Sequence, residues 1–279
     1  MKILFPTDFS SAAENAFVYA LKLANQLNAS ITVLHVYELL QVHTWIEGSM
    51  NMEEVNEKIT LGEFEDFRSR SETMKRIALE NNLDQVDVNY SLKESNHVVD
   101  AILQDASMNM IDLIVIGTKG ATGLREIFFG SVASKVMESS FCPVLLVPDT
   151  AVFKGIEKFG LTLEYKPDEL ELIERAATVT RRFGGHLYCL HVDAFDPDKV
   201  TLKMQEYRET FKHESDISFH VHHNLDIEKG ILEFMKLNQV DIVMMRVHHQ
   251  SLLKELFSYS IAKRVAYHTD IPLLGIHLA

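Results

Sequence analysis

Residues 111–148 read IDLIVIGTKGATGLREIFFGSVASKVMESSFCPVLLVP. Leu113-Ile114-Val115-Ile116 is a short unbroken apolar run, the pattern of a strand buried on both faces. Gly117 follows at once, Gly120 comes after two intervening residues, and Gly130-Ser131 after nine more. Residues 132–137 have the spacing of the first turns of a helix, and residues 143–147 form a second buried strand. A glycine lacks Cβ, so its backbone lets a ligand approach closely. A helix N-terminus presents unpaired N–H groups and the positive end of the helix dipole. Strand, glycine-punctuated loop and helix start together make a site for a phosphate chain.

Upstream, the same alternation repeats. Residues 2–5 predict a first strand, closed by Pro6-Thr7-Asp8. Ser10 or Ser11 suits an N-cap, and Glu14 stands three residues after Ser11, the spacing of a capping box. Residues 12–27 carry apolar side chains at helical spacing, including Ala13, Phe17, Ala20 and Leu27. A strand is expected over 31–36, a less regular stretch with the sole tryptophan, Trp45, over 37–50, and a charge-rich helix over 53–82. A strand over 86–92 and a helix over 97–108, with Val98, Val99, Ile102 and Leu103 inward, complete the run. Strands and helices in strict alternation predict a parallel sheet with helices on both faces. In such sheets ligands bind beyond the carboxyl ends of the strands, where the strand order reverses. Asp8 and Gly117 lie at two such ends.

The G-x2-G-x9-G-S spacing at Gly117, Gly120, Gly130 and Ser131, together with P-x-D at Pro6-Thr7-Asp8, resembles the universal stress protein family. The resemblance implies an α/β fold of the adenine nucleotide alpha hydrolase-like (Rossmann-like) sandwich type, with ATP as ligand, alone or with Mg2+. It implies that the ends of strands one and four are adjacent. Pro6, Thr7 and Asp8, with Val36 at the end of strand two, would frame the base and ribose. Gly117, Thr118 and Gly120 would pass beside ribose and phosphates. Gly130, Ser131 and Val132 would offer backbone amides, and Ser131 its hydroxyl, to the phosphate chain. Lys119 and Arg125 would be outer charge partners. Asp8 has two readings, a ligand or metal contact and a carboxylate that only starts the helix.

The second half repeats the first. Asp241 aligns with Asp112 at an offset of 129, which sets 253–257 against 124–128, Ser260 against Ser131, Ala262 against Ala133 and Pro272 against Pro143. Leu190-His191-Val192 matches Leu34-His35-Val36. Two tandem open-sheet domains follow, 1–149 and 150–279. The second departs where the chemistry lies: Arg246, His249 and Tyr259 replace Gly117, Gly120 and Gly130, and Glu164 replaces Asp8. Side chains there would fill the ligand's path, so this copy is read as a degenerate partner. The alternative is an anion ligand drawn by Arg246.

Composition narrows the function. A net charge of −13 lacks the basic footprint of a general nucleic-acid binder. No apolar run is long enough to span a bilayer, and the N-terminus is needed as a strand rather than a signal peptide. Cys142 and Cys189 fall in different halves and read as small buried apolar residues, compatible with a reducing cytoplasm. His220 and His222 share a strand face, a spacing compatible with metal, yet neither cysteine nor H-E-x-x-H accompanies them, and no metal site is expected. Isolated His43, His97 and His268 read as surface or capping residues. No Walker loop, G-x-G-x-x-G after strand one or G-x-S-x-G is present. The expectation is therefore a non-enzymatic, ATP-binding stress-response or regulatory module with an unidentified protein partner. A slow hydrolase using Asp8 and magnesium is one alternative. A nucleotide-independent scaffold, with strand five of each copy pairing across a pseudo-twofold, is the other, and a homodimer is compatible with either.

Overall fold

The computed structural model describes residues 1–38, 52–118, 131–194, 197–247 and 270–278. The first half runs β1 (Lys2–Pro6), α1 (Ser11–Leu27), β2 (Ser30–Tyr37), α2 (Met52–Glu80), β3 (Val88–Glu94), α3 (Val98–Met108), β4 (Leu113–Gly117), α4 (Ser131–Ser139) and β5 (Val144–Val147). The second runs β6 (Lys158–Thr162), α5 (Glu169–Arg182), β7 (His186–Asp193), α6 (Pro197–Thr210), β8 (Ile217–His223), α7 (Ile227–Leu237), β9 (Ile242–Val247) and β10 (Leu273–His277). All ten strands join one sheet in the order β3-β2-β1-β4-β5-β10-β9-β6-β7-β8. From the centre outward, both halves have the same order. Pairing is parallel throughout except at the centre, where β5 and β10 run antiparallel, Leu146 opposite Leu273.

The apolar alternation of the strands divides the core in two. One cluster packs Phe5, Ile31, Val33 and Val115 against Phe17, Ala20 and Leu23 of α1; the other packs Leu4, Leu34, Ile114 and Ile116 against Ile102, Ala133 and Val136 of α3 and α4. Both clusters cross the β5–β10 seam, because Leu145 and Leu274 face one side and Leu146 and Leu273 the other. At the seam a Cβ on Gly275 would stand 2.7 Å from Val247 Cγ2 and 2.9 Å from Met137 Cε of the other half, so any larger residue there would have to displace these side chains. His277 Nε2 lies 2.7 Å from the Met137 carbonyl.

The stretch between the halves is strapped to α1. Asn15 Nδ2 donates to the carbonyls of Pro148 and Ala151 (3.3 and 3.1 Å), and Gln26 exchanges two hydrogen bonds with the Ile156 backbone. Tyr19 meets Phe153 edge-on at 5.0 Å.

Two local expectations shift. Ser10, not Ser11, caps α1, with its hydroxyl accepting from the Ala13 amide at 3.3 Å. Ala13 therefore takes the third helical position, and Glu14 falls one residue past the place a capping box requires. β3 starts at Val88 rather than at 86, because the Val86 amide closes a turn onto the Leu83 carbonyl and strand pairing with β2 begins at Val88. Cys142 and Cys189 are both buried and unpaired. Trp45, His43, His268 and residues 253–257 lie outside the described residues.

Candidate nucleotide site and its second copy

β1 lies between β2 and β4, with Ile3 opposite both Ile31 and Leu113. The chain leaves β1 toward β2 and β3, then crosses back to β4, so the strand order reverses between β1 and β4. The ends carrying Pro6 and Gly117 are neighbours, as the resemblance implies. At the end of β1 the backbone is held closely. The Thr7 amide donates to the Leu34 carbonyl (2.9 Å), and His35 Nδ1 meets the Thr7 carbonyl at 2.8 Å. A carbonyl only accepts, so Nδ1 carries the proton. Beyond it the Phe9 amide donates to Thr7 Oγ1 (2.9 Å) and the Ser10 amide to Asp8 Oδ1 (3.0 Å). These two side-chain turns hold Phe9 at φ 56°, a left-handed conformation costly for a residue with a Cβ. The exposed Asp8 thus shapes the turn that precedes the helix.

Across the reversal, Gly117 ends β4 half-buried, and the buried Thr118 donates its amide to the Val147 carbonyl at 3.1 Å. Ser131 opens α4, exposed, and Val132 follows. Val36 and Val132 are both partly exposed and pack against the same apolar cluster. The described part of the site therefore brings Pro6, Thr7, Asp8, Val36, Gly117, Thr118, Ser131 and Val132 to the carboxyl edge of the sheet. Lys119, Gly120, Arg125 and Gly130 lie outside the described residues.

The second copy builds the same turn and fills it. The Leu163 amide donates to the Leu190 carbonyl (2.8 Å), His191 Nδ1 meets the Leu163 carbonyl (2.9 Å), and Tyr165 has φ 60°. Glu169, which stands where the first copy has Ala13, replaces the Thr7 and Asp8 side-chain bonds. Its carboxylate accepts from the Glu164 amide (2.5 Å), the Tyr165 amide (2.9 Å) and the Tyr207 hydroxyl (2.8 Å). Burial pushes the Glu169 carboxyl above its ordinary range, against these hydrogen bonds and the nearby Arg246 charge.

Arg246, in the place of Gly117, is 8% exposed and pairs through Nη1 with Asp168 Oδ1 at 2.7 Å. Among the described residues its Nη2 meets no hydrogen-bond partner. Against the anion alternative at Arg246 stand the charges around it. Its charge is matched by Asp168, and the Glu169 carboxyl beside it opposes a further anion. The end of β7 is closed too. Val192, the counterpart of Val36, is 7% exposed. A Cβ on Gly230 would lie 2.7 Å from Val192 Cγ1, so α7 packs directly over that strand end. The first copy has Ala101 at this position. His249 and Tyr259 lie outside the described residues.

The histidine-rich edge is occupied by its own hydrogen bonds. His186 Nε2 and His220 Nε2 each lie 2.9 Å from Ser218 Oγ, and His222 Nε2 lies 3.4 Å from Glu233. Among the described residues no group of three or more His, Cys, Asp or Glu is placed to hold a metal ion. His97 is exposed at the N-cap of α3 without a capping bond. No described helix is long and apolar enough to cross a membrane.

A family model described as the universal stress protein family matches residues 1–148 and 158–277. The chain belongs to the universal stress protein family. Among relatives, Universal stress protein MJ0531 of Methanocaldococcus jannaschii is 31% identical over 152 residues, 52% of this chain and 81% of that protein. Universal stress protein YxiE of Bacillus subtilis is 31% identical over 148 residues, 52% of this chain and 97% of that protein. Each relative thus matches about one copy's length. A universal stress protein from Archaeoglobus fulgidus shares the whole fold, with a TM-score of 0.72 over 99% of this chain and 98% of that one, at 18% identity. The family's two matched segments correspond to the two halves of the sheet. The turn-holding His35 and the plugging Glu169 carry roles the sequence reading did not assign, although the repeated Leu-His-Val was visible.

Proposed function

We propose that this universal stress protein binds one adenine nucleotide, ATP, in its first copy and acts as a non-catalytic, nucleotide-dependent regulatory module. The observation that carries this reading is the asymmetry at equivalent positions. The first copy has Gly117, a partly exposed Val36 and an exposed Ser131 at the start of α4. The second has a buried Arg246 and a covered Val192. The described residues fit the nucleotide. The Pro6–Asp8 turn and Val36 would hold base and ribose, and the α4 N-terminus with Ser131 would hold phosphate oxygens. An exposed carboxylate at Asp8 suits a magnesium ion that travels with the phosphates. Bound ATP would supply a charge-bearing ligand whose presence alters the surface around the site.

A second reading, a scaffold independent of nucleotide, is favoured by the central β5–β10 pairing and the apolar clusters that run through it. In that case the second copy serves as a built-in partner. Native mass spectrometry of the gently purified protein separates the two. A co-purified adenine nucleotide is expected. A ligand-free chain that also fails to take up added ATP leaves the scaffold.

A further inference from the structure

Thr7 is gripped from both sides by β2. Its amide is held by the Leu34 carbonyl and its carbonyl by the Nδ1–H of His35. The imidazole also lies 5.0 Å from the Phe9 ring and stacks toward Phe67 at 6.4 Å, 18° between planes. The same device stands in the second copy. His191 holds the Leu163 carbonyl and stacks on Tyr165 at 4.0 Å, with Tyr207 as the third ring. Both turns place an aromatic residue with positive φ two positions after the gripped residue. Backbone in this region persists only when its surroundings over-determine it. In β2, Val33 packs with the cluster over α1 and Leu34 and Val36 with the one over α3. His35 therefore works from the sheet face opposite Val36.

We infer that His35 is a positioning residue of the nucleotide site: from behind the sheet it fixes the Thr7–Asp8 turn that receives the nucleoside half of the ligand. The inference rests on the nucleotide reading above. His35 does not touch the ligand. It acts through the Thr7 carbonyl, and so bears on base and ribose rather than on phosphates, which belong to the start of α4. The Nδ1–H donor exists in both the neutral and the protonated ring. The second copy supplies an internal control, because His191 makes the same grip beside a turn already filled by Glu169.

The test is calorimetric titration of the full chain with ATP and with AMP, beside thermal melts. His35→Phe keeps a ring and loses the donor, and about tenfold weaker binding is expected, by the same factor for both nucleotides. His35→Asn places an amide N–H near the Nδ1 position and is expected to stay within about twofold of wild type. His191→Phe is expected to lower the melting temperature as His35→Phe does and leave ATP affinity unchanged. Folded His35→Phe with wild-type affinity overturns the inference, as does an equal loss of affinity in His191→Phe. A wild type that binds neither nucleotide overturns the nucleotide reading itself and this inference with it. Should His35→Phe not fold, nitrogen NMR of the wild type decides. An Nδ1–H tautomer at His35 whose resonance shifts on AMP saturation supports the grip. The Nε2–H tautomer, or no shift, overturns it.

Discussion

The two halves of the sheet carry one topology and opposite interiors at the same address. At the carboxyl edge of the first, the Thr7 and Asp8 side chains accept from the Phe9 and Ser10 amides of their own turn, Gly117 ends β4, and Val36 keeps part of its surface. At that edge of the second, Glu169 takes the turn amides, Arg246 reaches Asp168, and Gly230 lets α7 close on Val192. The framework that folds the domain survives replacement of the residues that would admit a ligand. Fold and site are therefore separable: the strands and the histidine grip belong to both copies, and the opening belongs to one.

The sharpest way to break the contrast is to move the second copy's residue into the first. Gly117→Arg sets a long side chain where the loop leaves β4. It is expected to weaken ATP binding about a hundredfold, or about 3 kcal/mol, in a chain with a wild-type circular dichroism spectrum. Wild-type affinity would detach Gly117 from the site.

A second difference lies beneath α3. Lys93 Nζ pairs with Asp105 Oδ1 at 2.5 Å, and the Asp105 side chain is 3% exposed. At the matching positions the second copy has the His222–Phe234 ring contact. Lys93→Met leaves a buried carboxylate unpaired and is expected to cost about 3 kcal/mol in denaturant unfolding. Adding Asp105→Leu should recover most of that loss, since an apolar pair can replace a buried ion pair. No recovery would mean that the pair does more than neutralise itself.

Asp168→Ala leaves the buried Arg246 without its acceptor. The expected cost is about 2 kcal/mol, less than for a fully enclosed pair because Asp168 is half exposed. ATP affinity should not change, and a change would join the two sites.

The smallest effect is on pH dependence. Burial holds His191 and His220 below the ordinary histidine range, and Arg208 and His186 add to the lowering at His220. Such groups add stability above the unfolded value of about 6.5, and lose it as pH falls through their depressed folded values. Glu169 works in the opposite sense. Its raised carboxyl adds stability below the unfolded value, lost as pH rises through the raised one. Thermal melts on the acid side of neutrality should show falling stability, and His220→Phe should flatten the slope. An unchanged slope would remove His220 from the effect.

Much of this was legible in the chain. Leu113–Gly117, Lys2–Pro6 and Ser11–Leu27 announce themselves because their periodicity is local. The loss of glycines in the second copy is visible wherever the repeat is aligned. What could not be read depends on contacts between distant segments. Glu169 looks like an ordinary first-turn acid of α5 until the fold sets it under the Glu164 and Tyr165 amides and beside Tyr207. Lys93 and Asp105 look like surface charges until β3 and α3 are packed together. The β3 start moved because the turn at Leu83–Val86 ends on a backbone bond with no side-chain signature.

The claim at the centre is that one copy is open and the other closed. Equilibrium titration of the intact chain with ATP, with the active fraction established independently, tests it most directly. Saturation at about one nucleotide per chain, with affinity about a hundredfold weaker in Gly117→Arg, is the predicted result. Saturation near two would place a working site among Glu169, Arg246 and Val192, and it or wild-type affinity in Gly117→Arg would contradict the account.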